Sequence, residues 1–186
     1  MRLKKINAVL GILTFALFFA HGIYEDVAYI AYIYNPILTK AFAYTLATFF
    51  TLHAVLSLYI IFRRNDTVKI DYRKRNIKTL IQRDTGMLSI LLLPFHAGAM
   101  SLLGKTYGTP AFYVIEFLGF LFIGVISTHL AISFSKALIT LGLVTDEKKV
   151  KIIDRTVAVI SAVFFVFTCV VLFITYGKLF ASGAVS

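Results

Sequence analysis

The chain has 186 residues, 59% of them hydrophobic and only 15% charged, with a mean hydropathy of +0.85. Soluble domains run at about 45–50% apolar and about 25% charged, so a water-soluble globule is excluded and lipid is the solvent that this composition fits. A net charge of +10 would point to nucleic acid in a soluble chain, but here the cations sit in short connections between apolar runs. That is the pattern of a membrane topology signal, and no nucleic-acid partner is expected.

A helix that crosses a bilayer needs about 20 mostly apolar residues, and five segments qualify. The first, Ile6–Tyr24, follows a basic start and reads as a retained span, because no small-residue cleavage site follows it cleanly. A mixed connection, Glu25–Lys40, carries several tyrosines and Asn35-Pro36 before the second span, Ala41–Phe62. The connection Arg63–Asp84 is densely charged and leads into the third span, Thr85–Leu103. A short Gly-rich stretch, Gly104–Pro110, precedes the fourth span, Ala111–Leu143, which is long enough to project beyond the lipid. A charged connection, Val144–Arg155, leads to the fifth, Thr156–Tyr176, where the lone Cys169 reads as a small buried hydrophobe. No internal repeat or low-complexity tract is evident. The expectation is an all-α integral membrane protein, a five-transmembrane-helix bundle forming a single domain over 1–186.

Charge sets the expected orientation. The start of the chain, the second and fourth connections and Lys136 place sixteen Lys and Arg on one side, against Lys40, Lys105 and Lys178 on the other. The positive-inside bias then puts the N-terminus in the cytoplasm and the C-terminus outside, in the cytoplasmic membrane. Tyrosines near the outer boundary, such as Tyr24, Tyr34, Tyr44 and Tyr113, fit an interfacial aromatic belt.

The four histidines, His21, His53, His96 and His129, each fall in a different span, the first four in order. Ionisable groups inside a membrane are costly and mark function, whereas a single one is also satisfied as an interhelical hydrogen-bond donor. One per helix with none left over points to a shared cofactor. Counting from the outer edge of each span at about 1.5 Å per residue gives depths of about 6 Å for His21, 13 Å for His96, 19 Å for His53 and 28 Å for His129. His21 and His96 therefore pair at an outer level, and His53 and His129 at an inner one. Zinc takes four protein ligands, or three and water, while two imidazoles on opposite faces of a flat macrocycle suit haem iron. Two b-type haems are the expected cofactors, with His21 and His96 on one iron and His53 and His129 on the other. Filled axial positions favour electron transfer over activation chemistry. Small residues near the ligands (Gly22, Ala54, Ala97, Gly98, Ala131) leave room, and Gly11 offers an approach for the macrocycle edge. Lys136, two turns after His129 on the same helical face, is a candidate propionate partner, with snorkelling to the headgroups as the alternative.

The stretches LHAVLSLYIIF at His53, YRKRNIKTLIQRDTGMLSILLLPFH ending at His96, and GVISTHLAISFSKALITLGLVT around His129 resemble the diheme cytochrome b membrane-anchor subunit of succinate dehydrogenases and fumarate reductases. The resemblance spans roughly residues 5–175. It implies a distal haem on His21 and His96 and a proximal haem on His53 and His129. It also implies a flavoprotein subunit and an iron–sulfur subunit on the cytoplasmic face, and electron exchange with a membrane quinone, menaquinone by expectation. The chemistry implied is succinate oxidation coupled to quinone reduction, or the reverse.

Some members of that family carry an acid two residues before the fourth-helix ligand; here that position is Ser127, and the nearest acid on the span is Glu116. Glu25 and Asp26 in the first connection are chemical candidates for a quinone contact, with a solvated helix end as the alternative. Gln82 and Arg83 stand where the inner haem edge is expected, for a propionate or quinone contact. The charged loop Arg63–Arg83 reads both as a docking surface and as a topology and lipid signal. No catalytic residue is assigned. The dicarboxylate chemistry belongs to other subunits, because neither a nucleotide loop nor a triad appears here. Two alternatives stand beside this reading: a diheme anchor of another respiratory dehydrogenase, and a small proton or metal transporter.

Overall fold

The computed structural model describes residues 2–63, 73–106 and 109–181, with side chains at all of these except 73–76, 99–106 and 176–181. The described chain folds into α1 (Arg2–Ala31), α2 (Pro36–Arg63), α3 (Arg73–Thr106), α4 (Pro110–Leu141) and α5 (Glu147–Ala181). Four of them, α1, α2, α4 and α5, are long and apolar enough to cross a membrane. The third does not meet that measure over its described side chains, because Lys78, Gln82, Arg83 and Asp84 occupy its first turns and its apolar end runs beyond residue 98.

The helices start and stop where local chemistry dictates. The Asn35 Oδ1 accepts the backbone N–H of Ile37 at 3.0 Å and of Leu38 at 3.3 Å, so it caps α2 just ahead of Pro36. Pro110 opens α4, and Gly142, at φ 80°, closes it in the left-handed conformation. Asp146 repeats the Asn35 arrangement for α5, accepting the N–H groups of Lys148 and Lys149 at 2.7 and 3.0 Å. Pro94 lies inside α3 and leaves the Ile90 carbonyl without its helical donor.

Three of the expected connections are markedly shorter than the sequence suggests. α1 runs on through Glu25 and Asp26 to Ala31, α3 begins at Arg73, so Gln82 and Arg83 are helical, and α5 begins at Glu147 inside the expected connection Val144–Arg155. A helix satisfies its own backbone wherever it runs, so polar residues that end an apolar stretch need not end the helix. The expected basic loop residues Arg64 and Lys69, the acids Asp66 and Asp71, Tyr107, and the side chains of Arg73, Lys74, Arg75, Lys105 and Lys178 lie outside what is described.

The bundle is two hairpins and a buttress. α1 packs on α2, α3 packs on α4, and the hairpins meet through α1 against α4, with α5 laid against α4 and α1. The buried core is small: Phe18, Leu92, Phe122, Ile123, Ile126, Leu130 and Phe164 form its centre. Leu91, Phe117, Val159, Val163 and Phe173 point outward and are exposed. Ile60 is the one buried residue of α2, and the helix is apolar on its other sides. This outward apolarity is what a lipid-facing helix shows. Gly22 lets α5 approach α1, since a Cβ there would stand 2.3 Å from Cζ of Phe164.

Candidate functional site

A cavity of about 350 Å³ lies between the two hairpins, toward the end of the bundle where α1 begins and α2 ends. α1, α2, α3 and α4 all contribute to its wall. Two of the four histidines line it: His53 from α2 and His129 from α4. Each ring is tied to the neighbouring helix of its own hairpin. Nδ1 of His53 is 3.1 Å from the backbone oxygen of Asn7, and Nδ1 of His129 is 3.0 Å from that of Gln82. A carbonyl only accepts, so Nδ1–H is the donor in both rings, and Nε2 keeps its lone pair. The hydroxyl of Thr85 stands 3.2 Å from Nδ1 of His129 as a second acceptor, while it gives its own proton to the Ile81 carbonyl at 2.6 Å.

The glycines near the histidines do not all act as expected. Gly11 does not face open space for a macrocycle edge: a Cβ on it would lie 3.1 Å from Cε1 of His53. Gly86 stands in the same relation to His129, again at 3.1 Å. Gly22 serves the α1–α5 packing, and a Cβ on Gly98 would meet nothing within 4 Å.

These parallels extend into an internal repeat that the linear reading does not reveal. Residues of α1 map onto α3 at a constant offset of 75: Asn7 on Gln82, Gly11 on Gly86, Thr14 on Ser89 and His21 on His96. Residues of α2 map onto α4 at an offset of 76: His53 on His129 and Ser57 on Ser133. The equivalence holds in hydrogen bonding as well. Thr14 donates to the Leu10 carbonyl at 2.8 Å and Ser89 to the Thr85 carbonyl at 2.7 Å, three residues after Asn7 and Gln82 respectively. Of the matched residues, Asn7, Gly11, Thr14, His53 and Ser57 and their counterparts line the cavity.

The two halves differ in charge. In the first, the Asn7 side chain exchanges hydrogen bonds with Ser57, at 3.0 and 3.2 Å. In the second, Nζ of Lys136 donates to Oε1 of Gln82 at 2.8 Å and to the Thr79 hydroxyl at 3.1 Å. Lys136 thus sits at the cavity wall on neutral partners rather than extending to the surface. Lys4 and Arg83 join it there, and among the described residues the lining includes no carboxylate. Gln82, Arg83 and Lys136, singled out from sequence, are therefore gathered with His53 and His129 around one space.

His21 and His96, expected as the second pair, lie within electrostatic reach of one another. The ring of His96 stacks on Phe122 with centroids 4.7 Å apart. Nδ1 of His21 is buried without a partner, as is Oε1 of Glu25, and the two lie 4.0 Å apart. Asp26, expected in a loop, is 2% exposed and accepts the Thr168 hydroxyl from α5 at 2.7 Å. Ser127 is buried with its hydroxyl unpaired.

Sequence reasoning noted Thr85 and Gly86 with Gln82 and Arg83 as part of the family resemblance, and missed Asn7. The spacing of Asn7 from His21, repeated by Gln82 and His96, is the signal that would have found it.

The chain matches no family model, no curated protein and no solved structure.

The donor sets decide what these sites can hold. Among the described residues no group of three or more His, Cys, Asp or Glu is gathered for a metal ion, so each level offers two imidazoles. At the His53 level the residues present would suit a haem: two Nδ1-anchored rings, a largely apolar wall, and Lys4, Arg83 and Lys136 as cations for two propionates. At the His21 level the donors fit, and the ring of Phe122 would have to move off His96 to admit a macrocycle.

Proposed function

We propose that this chain is the membrane-anchoring, haem-carrying subunit of a respiratory electron-transfer complex, of the succinate:quinone or quinol:fumarate oxidoreductase kind. One observation carries the reading. His53 and His129, each anchored through Nδ1 to a main-chain carbonyl, line one cavity together with Lys136, Arg83 and Gln82. A repeat that presents the same residues from two sides suits a ligand with two equivalent faces.

A haem b held there by His53 and His129 would supply one-electron chemistry. The chain's own residues do the rest. The carbonyls of Asn7 and Gln82 hold each ring in the Nδ1–H tautomer and raise the basicity of Nε2. Lys136, with Gln82 and Thr79 fixing its ammonium, and Arg83 balance propionate charge. Phe15, Phe50 and Phe134 help to keep water from the cavity. In this reading His21 and His96 hold the second haem, α3 is the fifth transmembrane helix, and the N-terminus lies in the cytoplasm. The basic end then faces an iron–sulfur subunit and its flavoprotein partner, and electrons leave to, or arrive from, a membrane quinone.

A reduced-minus-oxidised spectrum of the purified protein, with extraction of the pigment, tests this. The expected result is a bis-imidazole b-type spectrum with about two haems per chain. A colourless protein with wild-type folding sinks the proposal and leaves the transporter reading.

A further inference from the structure

We propose that Gly11 and Gly86 are positioning residues for the inner haem, two copies of one device that sets the planes of its imidazole ligands. This rests on the haem reading above. On a helix, the side chain at position i+4 leans back over the turn that holds the carbonyl of residue i. A carbonyl inside a helix already accepts its helical N–H, and its second lone pair is reached from outside only if that covering side chain is missing. Gly11 follows Asn7 by four residues, and Gly86 follows Gln82 by four. Each glycine bares the carbonyl that receives Nδ1–H from the next helix, at 3.1 and 3.0 Å. The two copies agree closely. A Cβ on Gly11 would stand 3.1 Å from Cε1 and 3.4 Å from Nδ1 of His53, and a Cβ on Gly86 would stand at the same two distances from the same atoms of His129.

The contact is tight enough that the ring must give by a few tenths of an ångström if a methyl is added. The ring would slide off the carbonyl and turn its plane, while helix propensity would improve, since Ala is the better helix former. The ligand would be kept and its orientation changed. Among the described residues no such device serves the outer pair: His96 stacks on Phe122, and the neighbour of the His21 Nδ1 is the Glu25 carboxylate at 4.0 Å. The effect is therefore confined to one of the two haems.

The test is electron paramagnetic resonance and potentiometric titration of Gly11→Ala, Gly86→Ala and the double variant in native membranes. Gly119→Ala is the control, since its Cβ meets nothing within 4 Å. The signal of the inner haem is identified by its loss in His129→Ala. Each glycine variant is expected to shift the low-field g value and midpoint potential of that haem alone, with a larger shift in the double variant and none in the control. Loss of the inner haem alone also supports the proposal. Unchanged spectra in both single variants overturn it. So does an equal change at both haems, or loss of both, which would mean a folding role only. A wild-type protein without haem instead overturns the reading on which the proposal rests.

Discussion

The imidazole of His129 shows how much of this site is carried by single atoms. It sits between a main-chain oxygen of α3, a threonine hydroxyl and a glycine, which together hold its orientation. The histidine itself was legible from sequence, because an ionisable side chain in an apolar run stands out. Its partners were not, because a carbonyl belongs to every residue and carries no sequence signature. Lys136 is similar. Its spacing from His129 suggested its face, but only the fold supplies Gln82 and Thr79 as its partners. Replacing Lys136 with Met removes a cation beside the inner site. In the haem reading this favours the ferric state and lowers the inner midpoint potential, by about 1–2 kcal/mol in partly shielded surroundings, or roughly 40–90 mV for one electron. A redox titration reads this directly, and an unchanged potential would place the propionates elsewhere. His53→Ala and His129→Ala are each expected to halve the haem content, measured by pigment extraction, because one axial ligand is lost from one iron.

Helices, not loops, set the distances between these residues. Hydropathy located all five helices within a few residues of their apolar centres, since a run of apolar side chains is what lipid requires. It misplaced the end of α1 and the starts of α3 and α5, where helix continues through polar sequence. Asp26 is the clearest case. A carboxylate at the end of an apolar run reads as the start of a loop, yet it is buried against α5 because Thr168, 142 residues away, provides its donor. The contact fastens α5 to the first hairpin. Thr168→Val is expected to cost about 1 kcal/mol, the scale of an interhelical hydrogen bond in a membrane. Gly22→Ala drives a methyl into Phe164, and overpacking of that kind costs about 1–3 kcal/mol. Thermal unfolding in detergent checks both. Phe164→Leu, combined with Gly22→Ala, is expected to recover part of the loss, since it removes the atom that the methyl meets.

At the scale of the whole molecule, two hairpins with a shared pattern are brought face to face, and the cavity is the space between them. The repeat escaped a reading along the chain because it survives at only a few scattered positions of each helix. α1 and α4 close one side of the bundle, while α2 and α3 face each other across the cavity without comparable packing. The orientation expected from the basic residues also belongs to this scale. A protease tag fused ahead of Met1 is expected to be cut only from the cytoplasmic face, and one after Ser186 only from the opposite face. The reverse pattern would move the inner cavity to the outer leaflet and detach it from any cytoplasmic partner. Composition by itself determined that the chain is helical and suited to lipid, because apolar runs of this length leave no other way to satisfy the backbone. It also singled out four histidines, one on each of the first four runs. Tertiary structure alone decided that His53 and His129 share a cavity with Lys136 and that glycines bare the carbonyls that hold them. Each of these depends on atoms from different helices meeting in space, and neither composition nor hydropathy records that meeting.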